Sequence, residues 1–416
     1  MKQTIKQVIR LAMMIPLLVQ VARGQVSKQA ATEAINQMAG YIANTMLDEQ
    51  GKSRCDYNLT EGSWYPYEVP WHTGQAVYAL LAAYKQTGNA RWLAAAKKAG
   101  DFWISLQIKD HPRLKGMLGA VHGDDIGDST IVFATISDGS PGPYELSRVT
   151  GDPKWARVAT AAAQWMLNNL YDSAKGICYD NVDLVSGEVQ KEHSPFWKDK
   201  KDQTLYDISR PNTEGWIFLD AYQFSQKKEF LNAHLTLSNS VVKLEDPNGL
   251  WMQFMPNTAS EHSFHPRFNL WYAESLLQTW KFNGNKQYLE AALRTARTYA
   301  KAQQKDGTIF YVNYTDGRSP DRSSVTGSAV AMAGIVWIQL AKAGYSEFLP
   351  YIEKSADWII RNRYSETHPD KNLRGAILET RMRNRNGKIW LVNRDIGTSF
   401  AVRFLVDYLN FKQTNK

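Results

Sequence analysis

One phrase recurs along the chain: a tight polar turn followed by an aromatic-led amphipathic segment. It reads Thr87-Gly88-Asn89-Ala90-Arg91-Trp92-Leu93, then Thr150-Gly151-Asp152-Pro153-Lys154-Trp155. It returns as Asn283-Gly284-Asn285-Lys286-Gln287-Tyr288-Leu289 and as Ala343-Gly344-Tyr345-Ser346-Glu347-Phe348-Leu349, with a degenerate copy at Ser225-Gln226-Lys227-Lys228-Glu229-Phe230-Leu231. A fixed spacing of roughly 60 residues marks stacked or ringed supersecondary units. About six such units fit in 416 residues, which predicts an all-α fold, an (α/α)6 toroid of six helical hairpins.

Two kinds of helix alternate. In the segment 287–303, Tyr288, Leu289, Ala292, Leu293, Ala296, Tyr299 and Ala300 form one apolar stripe, with Lys286, Glu290, Arg294, Arg297 and Lys301 opposite, as in a helix with one wet face. The segment 325–341 is small or apolar nearly all round, as is 73–84, so these belong inside. The pattern places outer helices near 28–50, 91–107, 153–171, 228–243, 286–303 and 346–363, and inner helices near 72–86, 139–149, 211–224, 267–282, 325–342 and 395–411. Inner-to-outer links are short turns. Outer-to-inner links are long (51–71, 108–138, 172–210, 244–266, 304–324 and 364–394), so all six open on one end of the ring, where binding and catalysis are expected.

Lys2, Lys6 and Arg10 precede an apolar stretch from Leu11 to Ala22, with Ala22 and Gly24 as small residues before Gln25. That reads as a secretory signal over 1–24, cut near Gly24, and predicts a periplasmic or secreted protein. Residues 25–416 read as one catalytic domain, without a linker or a break in composition. Lys2, Lys6, Arg10 and Arg23 are four of the 49 cationic residues, so the formal +8 becomes +4 once the signal is removed. So small an excess, without a basic run, argues against nucleic acid as a partner. No later apolar run is long enough to be a transmembrane segment. Export would permit a disulfide between Cys55 and Cys178, with two free buried thiols as the alternative.

The inner-helix entrances collect a polar set: His72; Asp138; Arg210, Asn212 and Glu214; His262, His265 and Arg267; Arg322 and Ser323; Arg394 and Asp395. The second long link adds His122, Asp124, Asp125 and Asp128. Paired carboxylates around one pocket suit glycosidic chemistry, in which one donates a proton and the other activates water or attacks. Arginines at a rim suit a sugar carboxylate. Loop aromatics (Trp64, Tyr65, Tyr67, Trp71, Trp197, Trp251, Tyr311) offer flat apolar faces for a sugar ring. Bland readings stand beside each: Asp138 and Asp395 as helix caps, Glu214 as a dipole partner, Glu274 as a satisfied lumen residue. Asp124, Asp125 and Asp128 lack the calcium-loop pattern, and His262 and His265 are too isolated for zinc, so neither metal nor cofactor is expected.

The chain resembles the six-hairpin glycosidases, and within them the unsaturated glucuronyl and rhamnogalacturonyl hydrolases. The resemblance rests on Ser137-Asp138-Gly139 leading into Tyr144-Glu145-Leu146-Ser147-Arg148-Val149-Thr150-Gly151-Asp152, on Pro211-Asn212-Thr213-Glu214-Gly215-Trp216, and on Gly249-Leu250-Trp251-Met252-Gln253. It implies a hydrolase that removes a terminal uronic acid from oligosaccharides. Asp138 would protonate the sugar's 4,5 double bond while water adds at C5. The family's second acid is an Asp where this chain offers Glu214, and the family's His-Asp pair before Asp138 is absent. A saturated β-glucuronidase with Asp138 and Glu214 as acid and base therefore stays open, with Asp125 next in line. His72, Trp71, Arg210, Asn212, His262, His265, Arg267, Tyr311, Arg322 and Trp251 are the expected substrate contacts. A uronyl C5-epimerase or polysaccharide lyase is the alternative; there Tyr311, His262 or His265 would take the C5 proton.

Overall fold

The recurrent turn is a helix-to-helix corner. In the computed structural model, which describes residues 26–123, 129–195, 201–210, 215–385 and 388–414, Gly88, Gly151 and Gly284 end inner helices in the left-handed conformation (φ 69°, 74° and 73°). Each is followed by a side chain that starts the outer helix: Asn89 accepts the Arg91 N–H at 3.1 Å, Asp152 that of Lys154 at 2.9 Å, and Asn285 that of Gln287 at 3.1 Å. Glycine ends one helix without a Cβ penalty, and the polar residue caps the next. In the degenerate copy the left-handed position falls on Gln226 (φ 60°).

Outer helices are α1 (Lys28–Tyr41, running into a π turn Ile42–Met46), α3 (Ala90–Ser105), α6 (Lys154–Asn169), α9 (Lys228–Lys243), α11 (Lys286–Ala302) and α13 (Leu349–Arg361). Inner helices are α2 (Val69–Thr87), α4 (Phe133–Gly139) with α5 (Pro141–Thr150), α8 (Ile217–Ser225), α10 (Phe268–Asn283), α12 (Gly327–Lys342) and α14 (Ile396–Thr414). A one-turn helix, α7 (Leu205–Ile208), lies in the third long link. The fold is an (α/α)6 toroid. α12 and α14 are buried almost all round, as the missing polar face requires. Two inner helices meet backbone to backbone: a β-carbon on Gly74 would lie 2.0 Å from the Gly139 carbonyl oxygen, and one on Gly142 would lie 2.2 Å from that of Gly74.

Two inner boundaries differ from the sequence reading. The second inner element begins at Phe133 instead of 139, because β3 (Thr130–Val132) delivers the chain into α4 and Pro141 then opens α5. Asp138 is therefore in the last turn of α4, not a cap at a helix entrance. The third begins at Ile217. The long links hold small antiparallel sheets, which short strands without clear alternation did not announce. One joins the first link to the last in the order β11 (Thr380–Arg385), β12 (Lys388–Asn393), β1 (Asp56–Asn58), β2 (Ser63–Tyr65).

Large aromatics fill the space between the rings, and three of the tryptophans donate their indole N–H to backbone: Trp103 to Pro70 O at 3.1 Å, Trp337 to Ala296 O at 3.1 Å, and Trp251 to Val241 O at 2.7 Å. Cys55 and Cys178 are both free and buried. In the lumen, Arg403 of α14 reaches Glu274 of α10 at 2.6 Å and Gln75 of α2 at 3.2 Å. Glu274 is thus satisfied by an ion pair across the ring. Residues 1–24 lie outside the described residues, and no described helix is long and apolar enough to cross a membrane.

Candidate active site

A cavity of about 300 Å³ opens at the end of the ring that carries the long links. Its wall includes Trp71, Arg210, His265, Arg267 and Tyr311, all expected from sequence. It also includes Glu68, Asp180 and Arg381, which were not. His72 is fully buried behind this wall, and Trp251 is a core residue at 0% exposure. His262 and Arg322 are exposed on the links, away from the cavity lining. Asp125, Asn212 and Glu214 lie outside the described residues, as do Asp124, Asp128 and Trp197.

The first and last links supply one wall. The register Tyr57↔Asn393 brings the neighbouring Asp56 and Arg394 together, and Arg394 Nε donates to Asp56 at 2.9 Å. His72 Nδ1 is in contact with Asp395, whose other oxygen accepts from Ser53 at 2.9 Å. Burial pushes the Asp395 carboxyl up, His72 opposes that, and Asp56 adds to it. Asp56, His72 and Asp395 offer atoms within 4.8 Å of one another, close enough for a cation. Arg394 supplies positive charge there, 2.9 Å from Asp56 and 3.4 Å from His72 Nε2.

Glu68 precedes α2 in a left-handed conformation (φ 49°), an uncommon place for a residue with a side chain. The strained backbone turns its carboxylate toward His122 Nε2 at 3.3 Å and Arg394 at 3.7 Å. Burial alone would raise this carboxyl, but His122, Arg394 and His72 outweigh it and bring it down to about 2. Glu68 is thus ionised at any working pH, and it cannot be a proton donor.

Asp180 arrives through pairing of β6 (Asn181–Asp183) with β3. One oxygen accepts the Ala134 N–H at 3.1 Å, capping α4, and the other lies 3.7 Å from Arg210. Asp138 is four residues beyond Ala134, so the two share a face of α4, with Asp138 one turn deeper. It is 3% exposed and is not among the residues lining the cavity.

The opposite wall is aromatic and cationic. Trp71 and Trp271 meet edge to face with centroids 5.5 Å apart, and Arg267 lies over both at 5.9 and 5.5 Å. Arg267 also donates to Glu379 at 2.6 Å and to Ser328 at 2.9 Å. His265 Nδ1 accepts the backbone N–H groups of Arg267 and Phe268 at 3.2 and 3.1 Å, which leaves the proton on Nε2, 3.1 Å from the Tyr311 hydroxyl. Burial, then the cations Arg267, Arg381, Arg394 and Arg210, push His265 well below its ordinary value, so it is neutral. The cavity therefore combines flat apolar faces, four arginines and fixed carboxylates, which suits a sugar that carries an acid.

No protein-family model matches this chain, and no curated protein sequence matches it either. Solved structures do match. An unsaturated glucuronyl hydrolase specific for heparin superposes with a TM-score of 0.65 at 13% identity, over 93% of this chain and 99% of that one. An unsaturated glucuronyl hydrolase from Streptococcus agalactiae gives 0.64 at 13% identity, over 92% and 93%. A cellobiose 2-epimerase from Bacillus thermoamylovorans gives 0.66 at 14% identity, over 90% and 98%. At such identities the likeness is one of architecture: the chain shares the (α/α)6 toroid of these hydrolases and of the epimerase.

Proposed function

We propose that the protein is a glycoside hydrolase that removes a terminal uronic acid, unsaturated or saturated, from polysaccharide-derived oligosaccharides. The observation that carries this reading is the cavity itself: Arg210, Arg267, Arg381 and Arg394 converge on a small space walled by Trp71, Trp271 and Tyr311. A neutral sugar needs no such charge, while a carboxylate repays the desolvation of a guanidinium through two parallel hydrogen bonds. Fold-level likeness to glucuronyl hydrolases agrees with the reading but cannot carry it.

In this reading Asp138 donates the proton, from beneath the cavity wall formed by Ala134. Burial disfavours the charged form of a carboxyl, which is the direction a proton donor needs. Glu214 is the partner favoured by sequence, and Asp180 is the carboxylate that the geometry adds. Turnover by wild type and by Asp138→Asn, Asp180→Asn and Glu214→Gln, on unsaturated and saturated uronides, tests the assignment. Loss of the 4,5 double bond's ultraviolet absorbance reports the unsaturated route. A wild-type protein that cleaves neither class would end the reading.

A second reading, a uronyl C5-epimerase or lyase, is favoured by one contact. The Tyr311 oxygen accepts a hydrogen bond from His265 Nε2–H and stands beside Arg381 and Arg267, an arrangement that would favour a phenolate able to take the C5 proton. Incorporation of solvent deuterium at C5 without cleavage, or a rise in ultraviolet absorbance, would select it over hydrolysis.

A further inference from the structure

Three of the four cavity arginines face a carboxylate of the protein. Arg267 is 2.6 Å from Glu379, Arg394 is 2.9 Å from Asp56, and Arg210 is 3.7 Å from Asp180. Arg381 differs: it lines the cavity and has no ion pair or hydrogen bond among the described residues. Its guanidinium lies 4.9 Å from the centroid of Tyr311, the ring whose hydroxyl is held by His265.

The sheet explains why Arg381 is left over. The ladder pairs Arg381 with Val392, while β1 sits on the far side of β12 and gives its one nearby acid, Asp56, to Arg394. A half-buried guanidinium whose partner among the described residues is an aromatic face gains about 0.5–2 kcal/mol from it. That is poor exchange for the water it has shed, and a bidentate carboxylate would complete its shell. From Thr380 to Asn393 the sequence carries Arg381, Arg383, Arg385 and Lys388 and no acid, a cationic balance that favours an incoming anion.

Resting on the uronide reading above, we infer that Arg381 is the residue that selects the acidic sugar. It takes the sugar carboxylate, while Arg267 and Arg394 hold the framework through Glu379 and Asp56. The division of labour is specific. Removing Arg267 or Arg394 strands a buried protein carboxylate and damages the fold, whereas removing Arg381 strands no carboxylate among the described residues.

D-Glucuronate and D-glucose differ only at C6, so their binding to wild type, Arg381→Gln and Arg381→Lys by calorimetry isolates the carboxylate. Wild type is expected to bind glucuronate at least tenfold more tightly than glucose. Arg381→Gln should lose that margin with an unchanged or higher melting temperature, and Arg381→Lys should keep part of it. Equal glucuronate affinity in wild type and Arg381→Gln overturns the inference, as does a wild type that does not distinguish the two sugars. Turnover of uronides is measured beside it. A protein that binds glucuronate through Arg381 but cleaves no uronide upholds the anchor and removes the hydrolase reading. One that cleaves uronides equally well with Arg381→Gln does the reverse.

Discussion

His265 Nε2 lies 3.1 Å from the Tyr311 hydroxyl oxygen, and the backbone N–H groups at the start of α10 fix which nitrogen carries the proton. The phenol oxygen is thus an acceptor toward His265 and aims its own proton elsewhere. In a hydrolase this pair shapes the wall beside Arg381; in a lyase or epimerase it would be the base.

Tyr311→Phe separates these roles. Hydrolysis should persist within about tenfold of wild type, because no proton of the glycosidic step passes through the phenol, against the 10²–10⁴-fold loss typical of a missing acid–base group. Steady-state rates on the best uronide, with a deuterium-exchange control, give the answer; a loss above about a hundredfold removes the hydrolase mechanism.

Asp138→Asn should lower kcat by about 10²–10⁴-fold with little change in KM, as expected for loss of a proton donor. Asp180→Asn should affect both constants, since that carboxylate caps α4 and faces Arg210. Near-normal kcat in a folded Asp138→Asn protein would reduce Asp138 to a structural residue.

The ring of hairpins was readable because its signals are local. A glycine turn, a capping side chain and an amphipathic stripe each need only a few consecutive residues. Trp71, Arg210, His265, Arg267 and Tyr311 were readable for the same reason: they sit at or beside inner-helix starts or on a long link. Glu68, Asp180 and Arg381 were not. Asp180 reaches the cavity through pairing of short strands far apart in sequence, Arg381 on a hairpin that such pairing docks against β1, and Glu68 through a left-handed backbone that no composition announces. One signal was present: Asn386-Gly387 between Thr380–Arg385 and Lys388–Asn393 is a strong hairpin cue. Trp251 misled, because a loop tryptophan beside polar residues looks like a sugar platform until its indole is seen bonded to Val241.

His234, buried between α9 and α10 with Nε2 2.8 Å from Thr279, is held neutral by burial, which lowers it to about 4. A base lowered in the folded state contributes stability above its unfolded value near 6.5, lost as pH falls from there toward 4. Between pH 7.5 and 5 the wild type should lose roughly 1–2 kcal/mol through this group, and His234→Gln should lose correspondingly less. Denaturant unfolding of both proteins at the two pH values checks it; parallel losses would assign the acid sensitivity elsewhere.

Gln226 occupies the left-handed corner that glycine fills in the better copies of the repeat. Gln226→Gly should stabilise by about 0.5–1 kcal/mol, since the left-handed penalty exceeds the added freedom of the unfolded chain. Gly74→Ala should do the opposite by about 3 kcal/mol or more, because its new carbon meets backbone that cannot swing aside. Thermal melts of both variants suffice; a tolerated Gly74→Ala would mean that α2 and α4 slide apart readily.

The Arg403–Glu274 pair closes the lumen between the cavity and a second hollow of about 590 Å³ at the far end of the ring. If the uronide-hydrolase reading holds, a glycan could not thread through the toroid. The mouth would then be a cul-de-sac that admits only a chain end, and the freed sugar would have to back out past the shortened chain before another end could enter. Such a machine would work distributively, releasing its polymer after every event, and its product ladder should shorten evenly across all chains instead of consuming a few to completion.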